Sequence, residues 1–364
     1  MTEPRASDAQ TAGMRLPGGI GAVNERHRFD EAALARYMAR HVEGFSGDLT
    51  VRQFAGGQSN PTFFLTAGER SWVLRKKPPG QLLPSAHAVD REYRVITALA
   101  GTGVPVPLTY ALCESPEVIG TAFFIMEYVH GRLMVDPGLP GVSPAERRAM
   151  FDDMNRVLAR LHTVDIDAVG LRDYGRPGNY FARQIHRWIQ QYRASETETI
   201  EAMERLIEWL PAHIPADEQT AIAHGDYRSG NMLMHPTEPR VVAVLDWELS
   251  TLGHPLADLA YHCMPYRLDA GTLGGFAGED LGALGIPPEE EFVATYCRRV
   301  GRAAIAEWEF YVAFAMFRLS AIAQGIMGRV IAGTANDANA RERGERARPL
   351  AEAAWSVIES RATA

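Results

Sequence analysis

The hydrophobic pattern changes character near residue 130. Ahead of it the runs are short: Leu49–Phe54 alternates apolar and polar positions, and the strands Thr62–Thr66 and, after the turn Ala67-Gly68-Glu69, Ser71–Arg75 follow. Alternation of this kind predicts half-buried strands. Asp30 with Glu31-Ala32-Ala33-Leu34 opens a short helix. Val89, Tyr93, Ile96 and Leu99 recur at helical spacing and predict a helix over Val89–Leu99. Gly103-Val104-Pro105-Val106-Pro107 leads into a further strand, and Phe123–Met126 reads as a buried one. Beyond Gly131 the pattern becomes helical. Ser143-Pro144-Ala145-Glu146 is a capping signature, and the helix it opens runs to about His162. A second helical stretch follows Gly178-Asn179 and carries Arg183, Arg187, Trp188 and Tyr192. Pro287-Pro288-Glu289 starts a helix through Gly301, residues 303–332 form a long buried helix, and a last helix covers about 339–360.

Between these elements lies one stretch rich in chemistry. It reads AHGDYRSGNMLMHP from Ala223, then VVAVLDWELSTLGHPLAD from Val241. Asp226 precedes Asn231 by five residues, and Asp246 follows the apolar run Val241–Leu245. An Asp, an Asn and a second, strand-borne Asp suit phosphoryl transfer. The first carboxylate accepts or positions a hydroxyl proton, while the amide oxygen and the second carboxylate hold magnesium against phosphate oxygens. Magnesium keeps several waters, so one or two side chains suffice. Upstream, Gly56, Gly57, Ser59 and Asn60 sit between two strands, where glycines let backbone N–H groups approach phosphate. The following strand ends in Arg75-Lys76-Lys77. Strand alternation sets Arg75 and Lys76 on opposite faces; Arg75 is the first candidate for the phosphate cation and Lys76 the alternative. Glu92, on the next helix, is the candidate partner of that cation.

HGDYRSGN resembles the catalytic motif of the aminoglycoside phosphotransferase and choline kinase-like enzymes, and VLDWELSTLGHPLADLAY resembles their metal-binding segment. The likeness is greatest to the kinase domain fused to certain acyl-CoA dehydrogenases and to its free-standing bacterial relatives. It covers roughly residues 28–330. The resemblance implies an α+β, protein-kinase-like bilobal fold with a small antiparallel-sheet lobe and a larger helical lobe. Residues 1–25 are then a flexible arm, 26–129 the first lobe and 130–364 the second. It also implies ATP and Mg2+ as cofactors, with a small-molecule alcohol as acceptor. Glu127 and Val129 become the hinge that meets the adenine edge. His224 and Asp258 support the loop through hydrogen bonds. Arg183, Arg187, Tyr192, Tyr261 and Arg329 become acceptor-side candidates, with Arg318 and Gln324 also facing the expected pocket. The Gly-rich stretch 270–285 is read as a lid.

Composition narrows the choice. The chain has 364 residues, 46% of them hydrophobic, enough for a full core. A net charge of -8 argues against nucleic acid as a partner. Three scattered cysteines, Cys113, Cys263 and Cys297, make neither a disulfide framework nor a zinc motif, and point to a reducing cytoplasm. No apolar run near the start reads as a signal, and the long apolar helix carries too many charges to span a membrane. Arginines near the expected pocket favour an anionic alcohol such as a hydroxyacyl-CoA over an aminoglycoside or choline. Two other readings stay open: a metallophosphoesterase using His224, His235 and His254, and a catalytically silent nucleotide-binding module.

Overall fold

A computed structural model describes residues 19–55, 60–78, 88–271, 273–335 and 339–362. The chain divides into two compact units. One comprises residues up to Val135 with Asp167–Leu171 and Ser229–Ser250; the other comprises Asp136–Ile166, Arg172–Arg228 and Thr251–Ala364. In chain order the strands are β1 (Ile20–Gly21), β2 (Thr50–Phe54), β3 (Thr62–Ala67), β4 (Arg70–Lys76), β5 (Thr109–Cys113), β6 (Phe123–Glu127), β7 (Arg132–Leu133), β8 (Ala221–Ala223), β9 (Met232–Met234), β10 (Val241–Val244) and β11 (Thr251–Gly253). The helices are α1 (Glu31–His41), α2 (Val89–Leu99), α3 (Pro144–His162), α4 (Tyr180–Ala194), α5 (Glu201–Ala212), α6 (Pro255–Cys263), α7 (Leu281–Leu284), α8 (Glu289–Val300), α9 (Trp308–Ile331), α10 (Ala340–Glu345) and α11 (Ala347–Ala362).

The first unit is built on an antiparallel sheet in the order β1-β2-β3-β4-β6-β5. Phe63, Leu65, Trp72, Leu74, Phe123 and Ile125 line one face and pack with Leu34 and Met38 of α1. Phe64, Val73, Arg75, Phe124 and Met126 occupy the intervening positions, and α2 packs along β5 and β6. Tyr93 of α2 meets Phe124 edge-on. Both faces are therefore covered, which is why β3 and β4 read as nearly continuous apolar runs. A second sheet in this unit has the order β10-β9-β7. Val244 N donates to Pro105 O at 2.8 Å, tying β10 to the segment that leads into β5. These bonds put Ser229–Ser250 with the first unit, whereas the sequence reading kept everything beyond residue 130 together.

The second unit is helical around α9, whose residues Phe310–Phe317 are buried without interruption. This helix is long and apolar enough to cross a membrane by composition alone, yet two-thirds of its most apolar stretch, 67%, is covered by protein. It begins at Trp308, later than residue 303, because Glu307 adopts a left-handed conformation just before it. Ser143 caps α3 as expected, its hydroxyl accepting from Glu146 N at 3.2 Å. The last expected helix is two helices, α10 and α11. Gly344 packs so closely on α9 that a Cβ there would lie 2.9 Å from Met327 Cβ. The stretch read as a lid is tied down: Phe276 is buried against Phe151 and Tyr266, and Asp280 caps α7.

Candidate active site

Arg75 lies near the end of β4 and reaches three carboxylates of the same unit. Its Nη2 donates to Asp246 Oδ1 at 2.7 Å and approaches Glu248 Oε2 at 3.5 Å. Its Nε is 2.8 Å from Glu92 Oε2, an ion pair in which the N–H does not point along the contact. Glu92 is buried and also accepts from Asn60 Nδ2 at 2.8 Å. Burial alone would lower the Arg75 pKa, but Glu92, Asp246 and Glu248 together hold it above its ordinary value. Asp246 takes a left-handed backbone, φ 65° and ψ 61°, between β10 and the tight turn Trp247–Leu249. Such a conformation is uncommon outside glycine, though Asp tolerates it better than most residues. It is held by Leu245 N donating to Asn231 O at 2.8 Å and by Trp247 Nε1 donating to Val244 O at 2.9 Å. The same pairing, Val244 opposite Met232, brings Asn231 beside the segment that carries Asp246.

Three carboxylates facing one guanidinium leave two negative charges uncompensated when all are ionised. A divalent cation fits that deficit. Asp246 is the most exposed of the three at 37%, and its oxygen chemistry with the Asn231 amide suits magnesium. Among the described residues no group of three or more His, Cys, Asp or Glu could hold a metal by itself.

The crowding has a measurable consequence. Burial, with Asp246 and Glu248 adding and Arg75 opposing, pushes the Glu92 carboxyl from its ordinary 4.5 up to about 7. Between those values the folded protein holds a proton that the unfolded chain has lost. Stability therefore falls as pH rises from about 4.5 to about 7, and this group adds no slope outside that window. The loss is on the order of 1–3 kcal/mol. Glu92→Gln is expected to flatten that part of the profile in urea unfolding at pH 5, 6, 7 and 8. A slope unchanged by the substitution would show that Glu92 ionises normally.

The second unit holds the His224-Gly225-Asp226 turn, which follows β8. Gly225 needs φ 83°, a conformation that suits glycine. Asp258 of α6 is fully buried and grips the turn: His224 N donates to Oδ2 at 2.6 Å and Gly225 N to Oδ1 at 2.8 Å. His162 Nε2 stands 3.4 Å from Oδ2, and its Nδ1 is bonded to Tyr296 OH at 2.7 Å. Burial would raise the Asp258 pKa, but His162, His224 and the Gly225 N–H hold it below its ordinary value. His224 accepts from Asp226 N at 3.2 Å through Nδ1, which makes it a brace for the turn. Tyr227 anchors the loop from beneath, its hydroxyl donating to Met154 O at 2.8 Å. Asp226 itself is half-buried, with Arg228 Nε at 3.3 Å and the Tyr261 hydroxyl in hydrogen-bonding contact.

Several residues singled out in the sequence stand elsewhere. Gly56, Gly57 and Ser59 lie outside the described residues. Asn60 is fully buried and spends its amide on Glu92. Lys76 points away from Arg75, with its ammonium 5.3 Å from the Phe29 ring centre and 5.7 Å from that of Phe63, so the alternation that admits Arg75 removes Lys76. Glu127 bonds to Leu108 through both its N–H and its carboxylate, and Val129 is half-buried. Tyr192 is fully buried, an aromatic core position and not an acceptor contact. Arg183 is spent on its own loop, donating to Gly178 O and, at 2.7 Å, to Arg176 O. Arg187 and Arg329 are exposed. Glu248 and Arg228 were missed, although each stands two residues after an Asp already marked.

The first unit carries a strand cation with its helix Glu and a strand-end Asp beside an Asn, the second a carboxylate-gripped turn, and each is a feature expected of a phosphotransferase. The phosphotransferase enzyme family matches residues 50–311, and the chain belongs to it. Members are small-molecule phosphotransferases with hydroxyl acceptors that use ATP with Mg2+. Acyl-CoA dehydrogenase family member 10 of Mus musculus is 48% identical over 336 residues, 92% of this chain and 31% of the relative. The chain spans less than half the length of such curated relatives. A crystal structure from Ralstonia eutropha JMP134, provisionally described as an aminoglycoside phosphotransferase, is 56% identical, with TM-score 0.85 over 92% of this chain and 99% of that one. The aminoglycoside phosphotransferase APH(4)-Ia, solved with AMP-PNP and hygromycin B, shares the α+β kinase-like fold at 17% identity, with TM-score 0.59 over 89% of this chain and 98% of that one.

Proposed function

We propose that this phosphotransferase acts on the hydroxyl of an acyl-thioester alcohol, a hydroxyacyl-CoA or a close relative. The observation that carries the acceptor is the relationship to proteins named acyl-CoA dehydrogenases, of which the chain matches only a part. A phosphotransferase joined to such an enzyme would share its thioester substrates. Cationic acceptors are less favoured, because the half-buried Asp226 already has Arg228 as its counter-charge.

In this reading Asp226 takes the hydroxyl proton as the oxygen attacks the γ-phosphorus. The bond from that phosphorus to the bridging oxygen breaks, and ADP leaves. Asn231 and Asp246 would hold Mg2+, which supplies charge neutralisation at the phosphate oxygens when bound. Arg75 steadies the phosphates, and Glu92 fixes the guanidinium. Positioning and electrostatics supply most of the rate in this chemistry. The metallophosphoesterase reading has no cluster of ligands to support it among the described residues.

ADP release should be followed with hydroxyacyl-CoA thioesters bearing the hydroxyl on carbons 3 to 5 of the acyl chain, beside kanamycin and choline. Turnover of a thioester with neither of the cations used is the expected pattern. Turnover of only a cation would overturn the acceptor assignment. Asp226→Asn is expected to lower kcat at least about a hundredfold with ATP binding retained. Full activity in that variant would remove Asp226 from the chemistry.

A further inference from the structure

Arg318 is set in the middle of α9, where it is the only charged residue between Glu309 and Arg329. Its side chain is buried, with 9% of the residue exposed. Nη2 donates to Gly225 O at 2.7 Å, one residue from Asp226. The guanidinium carbon stands 5.5 Å from the Trp188 ring centre and 5.6 Å from that of Tyr261. Tyr261 in turn contacts Asp226 through its hydroxyl. The cation thus sits in an aromatic slot beside the catalytic turn.

Two features of this slot are unusual. Arg318 makes no ion pair with any described carboxylate, whereas Arg228 has Asp226 and Arg302 has Asp217. A buried cation without a counter-ion is costly, and ring faces offset only part of that cost. The slot also holds donors without acceptors: among the described residues Arg318 Nε and Trp188 Nε1 are both buried without a hydrogen-bond partner, and Arg318 Nη1 bonds to none. Buried donors are normally satisfied, so a set of orphans around one cation marks a place for an oxygen that the protein does not provide. A strut to Gly225 O would need one N–H and a much cheaper side chain than a buried guanidinium.

We infer that Arg318, with Trp188 beside it, is a specificity-determining residue that binds an anionic or carbonyl oxygen carried by the phosphoryl acceptor near its reacting hydroxyl. The inference rests on the phosphotransferase reading of Asp226 but not on which hydroxyacyl compound is used. A carboxylate and a thioester carbonyl present the same acceptor oxygen to the guanidinium. A cationic acceptor would meet like charge there.

The test uses the full chain with Mg-ADP and two minimal probes, 3-hydroxybutyrate and 1,3-butanediol, at matched sodium concentration. They share carbon skeleton and hydroxyl and differ in the carboxylate. Thermal unfolding is expected to show stabilisation of the wild type by hydroxybutyrate and not by the diol. Arg318→Met should abolish that difference, weakening hydroxybutyrate by roughly ten- to a hundredfold. Equal response to the two probes in the wild type, or an undiminished difference in Arg318→Met, would overturn the inference. Should the Met variant fail to fold, Arg318→Lys is read in its place. It keeps charge but loses the planar fork, and unchanged affinity there is equally fatal. The wild-type pair decides alone if neither folds. With 3-hydroxybutyryl-CoA as substrate, the substitution should raise the acceptor KM more than it lowers kcat. If no thioester is phosphorylated while Arg318 still governs hydroxybutyrate binding, the thioester assignment fails and this inference stands.

Discussion

Asp246→Asn is expected to lower kcat by about a thousandfold or more while leaving the nucleotide-free protein at least as stable as wild type. The two effects have one cause. Asp246, Glu92 and Glu248 converge on Arg75, and Glu92 is driven up to about 7 partly because the other two are close. Replacing one carboxylate with an amide relieves that repulsion and leaves an oxygen that can still accept from Arg75. Asn also tolerates the left-handed backbone that Asp246 occupies, so no strain is added. The lost charge is the one proposed to hold the metal, where neutralisation of developing phosphate charge contributes several kcal/mol. Thermal unfolding with and without ATP and magnesium separates the two effects. Wild type should gain a magnesium-dependent rise, and the variant should lose it without a fall in its own midpoint. A variant that keeps the rise would place the metal elsewhere. A variant destabilised without ligand would show that Arg75 needs all three carboxylates.

The parts of this site that could be read from sequence are those fixed by local spacing. Asp226, Asn231 and Asp246 are close along the chain, and the turn and hairpin that carry them are short. The preference for Arg75 over Lys76 came from the family resemblance; the two-residue period of a strand says only that they face opposite ways, as they do in the structure. The helix over Val89–Leu99 was legible to the residue because its apolar positions keep one face. What stayed hidden depends on partners far away in sequence. β7, β8, β9 and β11 have two or three residues each, too few to show a period, and exist only through pairing. Tyr192 looked like an acceptor contact because an aromatic on an Arg-rich helix has two uses, and only packing decides between them. Arg318 was visible as a charge inside an apolar helix. That its guanidinium lies between Trp188 and Tyr261, 130 and 57 positions away, could not be read from its surroundings in the chain.

Asp258→Ala should be among the most damaging single changes in the second unit, at about 3–5 kcal/mol of stability. The carboxylate accepts from two backbone N–H groups and faces His162, all out of reach of water. Alanine leaves those donors buried with nothing to receive them, and each such orphan costs about 1–3 kcal/mol. The damage also reaches the chemistry, because the two N–H groups belong to His224 and Gly225 and fix the turn that presents Asp226. Activity per folded molecule should therefore fall too, even at temperatures where the variant remains folded. The pH course follows from the direction of the shift. A carboxyl held below its ordinary value contributes fully above the pKa of the unfolded group, near 3.8, and loses its contribution only as pH falls through the lower folded value. Its own titration adds no slope between pH 5 and 8, so the comparison with Asp258→Ala is made at one pH within that range. Asp258→Asn should recover part of the stability, since its amide oxygen can still accept from one of the two N–H groups. Urea unfolding of the three proteins decides the matter. A loss below about 1 kcal/mol in the alanine variant would mean that the turn finds other partners, such as water, and that its shape does not depend on Asp258.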